Sequence, residues 1–455
     1  MPFSDPPPPK PRKLLIITSS GGGGLIQAAN AKEQEARAKD PNIEVVRKDV
    51  LKDWMGNVFG KFCSEMWNGA QMKGDITALR FVIWAQFIFD YICWPYFFVR
   101  ALLTLFKEEA DQVIDTQPLG TSAILKALRI YNAKRNKQVR LQKVLVDLPT
   151  KAATHFFRPI KNLTKKDRPF LQLTTIAPLL DEGQTREQFW QTNCRLSEKE
   201  IHYEDVYVRQ SFRKFQNKQR DAKEFPVFIR FKSEEELNLM RMTFEKGRFQ
   251  GIVKNDEVHF SVAPTDRLIT ILLGSQPASE STFNYVKKFL KLGLEGKSPN
   301  NRCRLFVFSS EHKPHSQSLF RKIAEYVRGL DKYPQNFSII PFSFQSDDVI
   351  APLFFRSDLT CTRSGGQTAM ELMCVSSGDM WIHSETKKDP NQKEDLCLKQ
   401  LLDGIPGWEA ANALYMKKIR NARIVTPETI DSLAATFFAS GSKRDQSIAA
   451  LIQAF

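Results

Sequence analysis

The densest run of residues able to do chemistry is Thr362-Arg363-Ser364-Gly365-Gly366-Gln367-Thr368-Ala369-Met370-Glu371-Leu372-Met373. It reads as the end of a strand, a glycine turn and the start of a helix. The first backbone N–H groups of a helix have no partner inside it, and the helix dipole adds partial positive charge at the same place. Such a turn suits a diphosphate, whose oxygens the glycines let close to the backbone. Glu371 follows early in the helix, where a carboxylate can accept both hydroxyls of a ribose. The alternative is a helix start that serves the fold alone.

Further along, Ile405-Pro406-Gly407-Trp408-Glu409-Ala410-Ala411-Asn412 sets Glu409 and Asn412 on one helix face. One carboxylate and one amide aimed into a crevice would meet a ligand dense in hydroxyls; otherwise the stretch is a capped surface helix. In the first half of the chain, Asp147 closes the strand-like run Lys143-Val144-Leu145-Val146. A carboxylate at the C-terminal end of a strand can take a proton from a hydroxyl, or it can simply cap the next turn. His312 and His315 have no further histidine or cysteine close by in sequence, and Pro314 breaks helical spacing between them, so no metal site is expected. Gly21 to Gly24 lack the Lys-Ser/Thr pair of a nucleotide-hydrolysing loop.

Elements must hold these groups. Leu14-Leu15-Ile16-Ile17-Thr18 is a buried strand by composition, and it opens through Ser19-Ser20-Gly21-Gly22-Gly23-Gly24 into a helical stretch. Strands also fit 43–46, 112–115 and 143–147, and the pattern restarts with 268–273, 305–308, 337–340, 359–362 and 380–383. Strands alternating with helices predict two doubly wound, parallel α/β domains. The expected order is a disordered Pro-rich arm (1–13), a first domain (14–199), an insertion or linker lobe (200–263) with a small β excursion, a second domain (264–430) and closing helices (431–455). The basic run Arg213 to Arg220 reads either as a solvated surface or as a phosphate contact.

The segment from Phe81 to Phe106 is nearly all apolar and aromatic, with Asp90, Pro95 and Arg100 among its few interruptions. Its length would cross a bilayer, but both charges would sit in hydrocarbon, and its place between two strands of one sheet opposes a span. The preferred reading is an interfacial membrane-binding helix pair, kinked at Pro95, ahead of buried core helices and of a true span. A net charge of +15 and 34 Phe in 455 residues agree with an anionic, partly apolar surface as partner. No nucleic-acid-binding motif is present. Seven cysteines, odd in number and with no Cys-x-x-Cys pair, predict a reducing, cytoplasmic setting.

The order Gly274-Ser275-Gln276 after a strand, then Arg363-Ser364-Gly365-Gly366-x-Thr368-x-x-Glu371, then Pro406-Gly407-x-Glu409-x-x-Asn412 resembles the donor domain of glycosyltransferase family 28, and in particular the monogalactosyldiacylglycerol synthases. In the first half, the glycine-rich loop, Asp49 to Trp54, Asp115 to Leu119 and Val146 to Thr150 fall in the order seen in those galactolipid synthases. The resemblance implies a GT-B fold, two Rossmann-like domains facing across a cleft. It implies an inverting, metal-independent transfer of a hexose from a UDP-sugar, which is a co-substrate and not a cofactor. The implied acceptor is a diacylglycerol-like lipid, and the protein would be cytoplasmic and peripheral to the membrane. By position, Ser364, Gly365, Gly366, Gln367 and Thr368 meet the donor phosphates, Arg363 belongs to the same donor-binding stretch, and Glu371 meets the ribose. Glu409 and Asn412 address the sugar, Gly274, Ser275 and Gln276 line the cleft, and the backbone at Phe342 holds the base. Gly22, Gly23 and Gly24 form the acceptor-side loop.

The chain departs from that pattern at Gly24 and Gln117, where histidines are usual, and at Trp408, where glutamine is common. Asp147 is then the candidate base. Transfer to a protein side chain and sugar-nucleotide binding without turnover are the alternative readings.

Overall fold

The computed structural model describes residues 11–73, 75–220, 224–247, 251–274, 278–296, 302–313, 316–387, 396 and 398–440. The chain divides into two compact units, Met1–Trp67 with Phe81–Gln210, and Asn68–Arg80 with Ser211–Phe455.

The first unit runs β1 (Lys13–Thr18), α1 (Gly23–Lys39), β2 (Glu44–Asp49), α2 (Asn57–Lys73) and α3 (Ile76–Ile92), of which residues 68–80 are grouped with the second unit, then α4 (Trp94–Glu108) and β3 (Gln112–Asp115). It continues α5 (Thr121–Arg135), β4 (Leu141–Val144), α6 (Thr154–Lys161), β5 (Leu171–Thr175), α7 (Arg186–Cys194) and β6 (Ile201–Tyr203). All six strands pair in parallel, in the order β2-β1-β3-β4-β5-β6. β1 is an inner strand and carries the unbroken buried run Leu14–Ile17, as a strand covered on both faces must. The sequence reading named neither β5 nor β6. It also carried β4 three residues too far: after Leu145 donates to the Thr174 carbonyl at 3.0 Å, the chain leaves the ladder, and Pro149 has no N–H to extend it.

α4 buries Phe97, Ala101 and Leu105 on one side, while Tyr96, Val99 and Leu103 face outward. α3 exposes Phe81, Trp84, Ile88, Tyr91 and Ile92, residues three or four apart along one face, and Tyr91 is 84% exposed. α2 adds Val58, Phe62 and Met66. Among the described residues no single helix is long and apolar enough to cross a membrane; α3 and α4 together would be, but they bend by 69°. The expected kink at Pro95 is corrected: the break falls at Cys93, and Pro95 sits in the first turn of α4, where its missing N–H is not needed.

The second unit begins with α8 (Gln210–Arg213), β7 (Phe225–Arg230), α9 (Glu234–Lys246), β8 (Ile252–Lys254) and β9 (Glu257–Val262). The main sheet and its helices follow: β10 (Arg267–Leu272), α10 (Ser279–Leu294), β11 (Cys303–Phe308), α11 (Leu319–Arg328), β12 (Phe337–Phe342) and α12 (Asp347–Arg356). Then come β13 (Leu359–Thr362), α13 (Gly366–Val375), β14 (Asp379–His383), α14 (Leu398–Gly404), α15 (Gly407–Arg420), β15 (Arg423–Val425) and α16 (Ile430–Ser440). The parallel order is β12-β11-β10-β13-β14-β15, the strand order of a Rossmann sheet. β7, β9 and β8 form the small antiparallel sheet expected between the domains. β6 lies in that same expected lobe but joins the first sheet.

The basic run ending at Arg220 is part latch and part solvated surface. Arg220 donates from Nη1 to Asp358 Oδ1 at 2.9 Å and from Nε to the Phe355 carbonyl at 2.8 Å, while Arg213, Lys214 and Lys218 are exposed.

Candidate functional site

In an open parallel sheet, ligands bind beyond the C-terminal ends of the strands where the strand order reverses, because the connecting helices there leave on opposite faces and open a crevice. In the second sheet that point lies between β10 and β13. β10 runs out through Leu273 to Gly274, whose φ of +87° only glycine holds without strain. Ser275 and Gln276 lie outside the described residues. β13 runs out into Arg363-Ser364-Gly365 and directly into α13.

That turn has the properties an anion requires. Gly365 is the N-cap of α13, and no side chain caps the helix. A Cβ placed on Gly365 would meet no described atom within 4 Å, so the space beside the turn is open. The flanks are rigid. Arg363 Nε and Nη2 both reach Glu409 Oε2, at 3.1 and 2.9 Å, and the Ser364 hydroxyl donates to the Glu409 carbonyl at 2.5 Å. Asn412 Nδ2 donates to the Ser364 carbonyl at 2.8 Å. α15 is thus fastened to the turn by charge-assisted and amide hydrogen bonds.

The structure therefore brings Arg363, Ser364, Glu409 and Asn412 into one network. Glu409 and Asn412 are buried in it, at 5% and 0% exposure. One turn into α13, Gln367 Nε2 donates to Glu371 Oε1 at 3.2 Å, and both side chains are buried; Gly366 is buried too and Thr368 half-buried. Phe342 ends β12, two strands from the switch point. Its ring packs against Phe308 with centroids 5.7 Å apart, and its carbonyl accepts the Ser309 N–H at 2.9 Å.

In the first sheet the reversal falls between β1 and β3. The loop after β1 carries Gly22 as N-cap of α1, with Gly23 and Gly24 inside its first turn and no capping side chain. After β3, the Gln117 side chain closes its own loop: it accepts from the Leu119 N–H at 2.7 Å and donates back to the Leu119 carbonyl at 2.5 Å. Lys143 and Asp115, side by side on β4 and β3, form an ion pair of 2.6 Å at 0% exposure.

Asp147, just past β4, faces His155 in the first turn of α6, with Oδ2 and Nε2 2.9 Å apart and both side chains buried. Sequence reasoning weighed His312 and His315 and passed over His155. The available signal was a histidine at a helix start one short loop after the strand-end carboxylate. His312 Nδ1 lies 2.7 Å from the Ser318 hydroxyl, which is the N-cap of α11. His315 lies outside the described residues.

These features define a chain of two doubly wound α/β units, the second of which presents an open, uncapped glycine turn at its switch point. Two Rossmann-like units in one chain are the components of the GT-B fold. No family model matches the chain, and comparison with curated proteins gives no match. Among solved structures it is similar to MurG of Acinetobacter baumannii, at 12% identity over 94% of this chain and 91% of that one, with a TM-score of 0.44. It is similar to OtsA in its apo structure, at 14% identity over 94% and 90%, TM-score 0.39. It is similar also to UDP-GlcNAc 2-epimerase of Neisseria meningitidis bound to UDP-GlcNAc, at 10% identity over 94% and 98%, TM-score 0.39.

Proposed function

We propose that this chain is a metal-independent, inverting glycosyltransferase of the GT-B type that moves a hexose from a UDP-sugar to a diacylglycerol-like lipid at a membrane surface. The observation that carries the proposal is the open, uncapped turn Arg363–Gly366 at the switch point of the second sheet. The motif order shared with family 28 supports the same reading.

The acceptor hydroxyl oxygen attacks the anomeric carbon, and the bond from that carbon to the diphosphate breaks. The departing nucleoside diphosphate keeps the electron pair, and the N–H groups opening α13 meet its growing charge. Glu371 takes the ribose hydroxyls. Asp147, whose carboxylate His155 holds at 2.9 Å, is the candidate to take the acceptor proton. Both positions where the family 28 pattern carries a histidine lack one here: Gly24 has no side chain, and the Gln117 amide is spent on its own loop. The lipid acceptor is supported by the outward aromatic faces of α3 and α4.

The test is incubation with radiolabelled UDP-glucose, UDP-galactose and UDP-N-acetylglucosamine, total lipid extract and a chelator of divalent metals. The proposal expects label in lipid. Label in protein would replace the acceptor, dependence on a divalent ion would replace the mechanism, and nucleotide binding without turnover would leave a sugar-nucleotide binder.

A further inference from the structure

Glu409 was the carboxylate expected to read the transferred sugar, yet its oxygen is held by Arg363 inside the fold. Another carboxylate lies on the same edge of the sheet. Glu385 follows β14, and its Oε1 accepts from the Ser281 hydroxyl and from His383 Nε2, the latter at 3.0 Å. Ser281 belongs to the first turn of α10, the helix that follows β10. β10, β13 and β14 are consecutive in the sheet, and Glu385 lies near enough to Arg363, at the end of β13, for that charge to act on its carboxyl.

The support beneath Glu385 is built from several directions. The Tyr285 hydroxyl and His383 Nδ1 are 3.4 Å apart, which sets the imidazole between the phenol and Glu385. The Glu385 N–H donates to the Gly404 carbonyl at 3.1 Å, and Thr386 Oγ1 donates to the Gln400 carbonyl at 3.0 Å. Burial alone would raise the Glu385 carboxyl, but His383, Ser281 and the nearby Arg363 charge outweigh it and hold the group below the usual carboxylate range. It is ionised at neutral pH. Its side chain is 33% exposed, and among the described residues Oε2 accepts no hydrogen bond.

A fixed, charged acceptor beside a diphosphate turn repels phosphate and attracts hydroxyl donors. We infer that Glu385, and not Glu409, accepts hydroxyl hydrogen bonds from the transferred hexose, with Ser281 and His383 as its positioning residues. This rests on the nucleotide-sugar reading above.

The experiment is calorimetric titration of the full chain and its Glu385→Gln, Glu385→Ala, Ser281→Ala and Glu409→Gln variants with UDP, UDP-glucose and UDP-galactose, beside a thermal melt of each. The expected result is that Glu385→Ala keeps its UDP affinity within about twofold while the Kd ratio of the preferred UDP-hexose to UDP rises about tenfold, the scale of one hydrogen bond to a charged group. Ser281→Ala gives a smaller rise, and Glu409→Gln weakens UDP and UDP-hexose alike. An unchanged ratio in the Glu385 variants overturns the inference, as does equal loss of UDP and UDP-hexose. A selective loss of hexose in Glu409→Gln overturns it in favour of Glu409. A wild-type chain that binds neither UDP nor UDP-hexose overturns the nucleotide-sugar reading itself, an outcome distinct from the others. If Glu385→Ala melts early, Ser281→Ala, which keeps the carboxylate, decides by the same ratio.

Discussion

At the scale of single residues, Gly365 is where the fold and the ligand make opposite demands. Its φ of −59° suits any residue, and a methyl group there would touch no described atom. Gly365→Ala should therefore melt within about 1 kcal/mol of wild type, the size of a helix-cap change, yet weaken UDP binding, because the methyl occupies the space over the N–H groups. Equal UDP affinity in the variant, measured by titration, would place the diphosphate elsewhere. Asp147→Asn should abolish transfer while leaving UDP affinity intact, and His155→Asn should lower kcat and shift the pH profile of transfer, since it alters the group that orients the base. A His155→Asn enzyme with an unaltered pH profile would reduce the pair to a structural contact. Much of this site was legible in sequence, because a strand, two glycines and a helix in succession force a turn with free N–H groups. The contacts of Glu409 and Asn412 were less so, since spacing puts them on one face but does not say that Glu409 Oε2 meets Arg363 or that Asn412 Nδ2 meets the Ser364 carbonyl.

At the scale of elements, α3 is tied to the loop between β3 and α5. Asp90 accepts the Gly120 N–H at 2.5 Å, and Trp94, opening α4, donates from Nε1 to the Ser122 hydroxyl at 2.9 Å. Burial raises the Asp90 carboxyl; the Gly120 N–H and the Lys143 charge work against this, and the Asp115 charge adds to it. A carboxylate raised in the native state costs stability as pH climbs from the ordinary carboxylate range through the raised native value, and costs nothing below that range. Asp90→Asn keeps an acceptor for Gly120 and removes the charge. It should melt above wild type near neutral pH, with the difference shrinking as pH falls toward about 3. Melts from about pH 3 to about pH 8 check this, with Asp115, Lys143 and Cys93 as the other titratable groups coupled to Asp90; a gap that widens on acidification would contradict it. The sequence reading placed Asp90 as an obstacle to a membrane span, and the packed structure adds that it serves as a tether. It placed a kink at Pro95 because proline breaks helices, whereas position within the first turn removes the reason for a break. β5 escaped notice because Gln172, Thr174 and Thr175 break its apolar run, and β6 and β15 because they have three residues each and sit at sheet edges, where the apolar pattern is weakest.

At the scale of the whole molecule, a net charge of +15 and the outward aromatic faces of the first unit should act together on an anionic bilayer. Binding to anionic vesicles should fall as salt screens the charge over a Debye length of about 8–10 Å, but should not vanish, because apolar burial is not screened. Serine at Phe81, Trp84 and Tyr91 together should remove the salt-resistant part, and alkaline carbonate should strip the wild-type chain from membranes. Sedimentation reads each result; resistance to carbonate would indicate insertion, and no binding at low salt would take away the lipid acceptor's main support. The doubly wound pattern was readable from alternating strands and helices, whereas strand order was not, since only pairing in space sets β10 beside β13 and so fixes the switch point. A nucleoside diphosphate bound at that point is the central claim, and titration of UDP into wild type and Glu371→Ala tests it most directly. UDP should bind wild type, and the folded variant should bind it more weakly by about 1–3 kcal/mol, the range for a charge-assisted hydrogen bond. Unchanged UDP affinity in a folded Glu371→Ala chain would contradict the account.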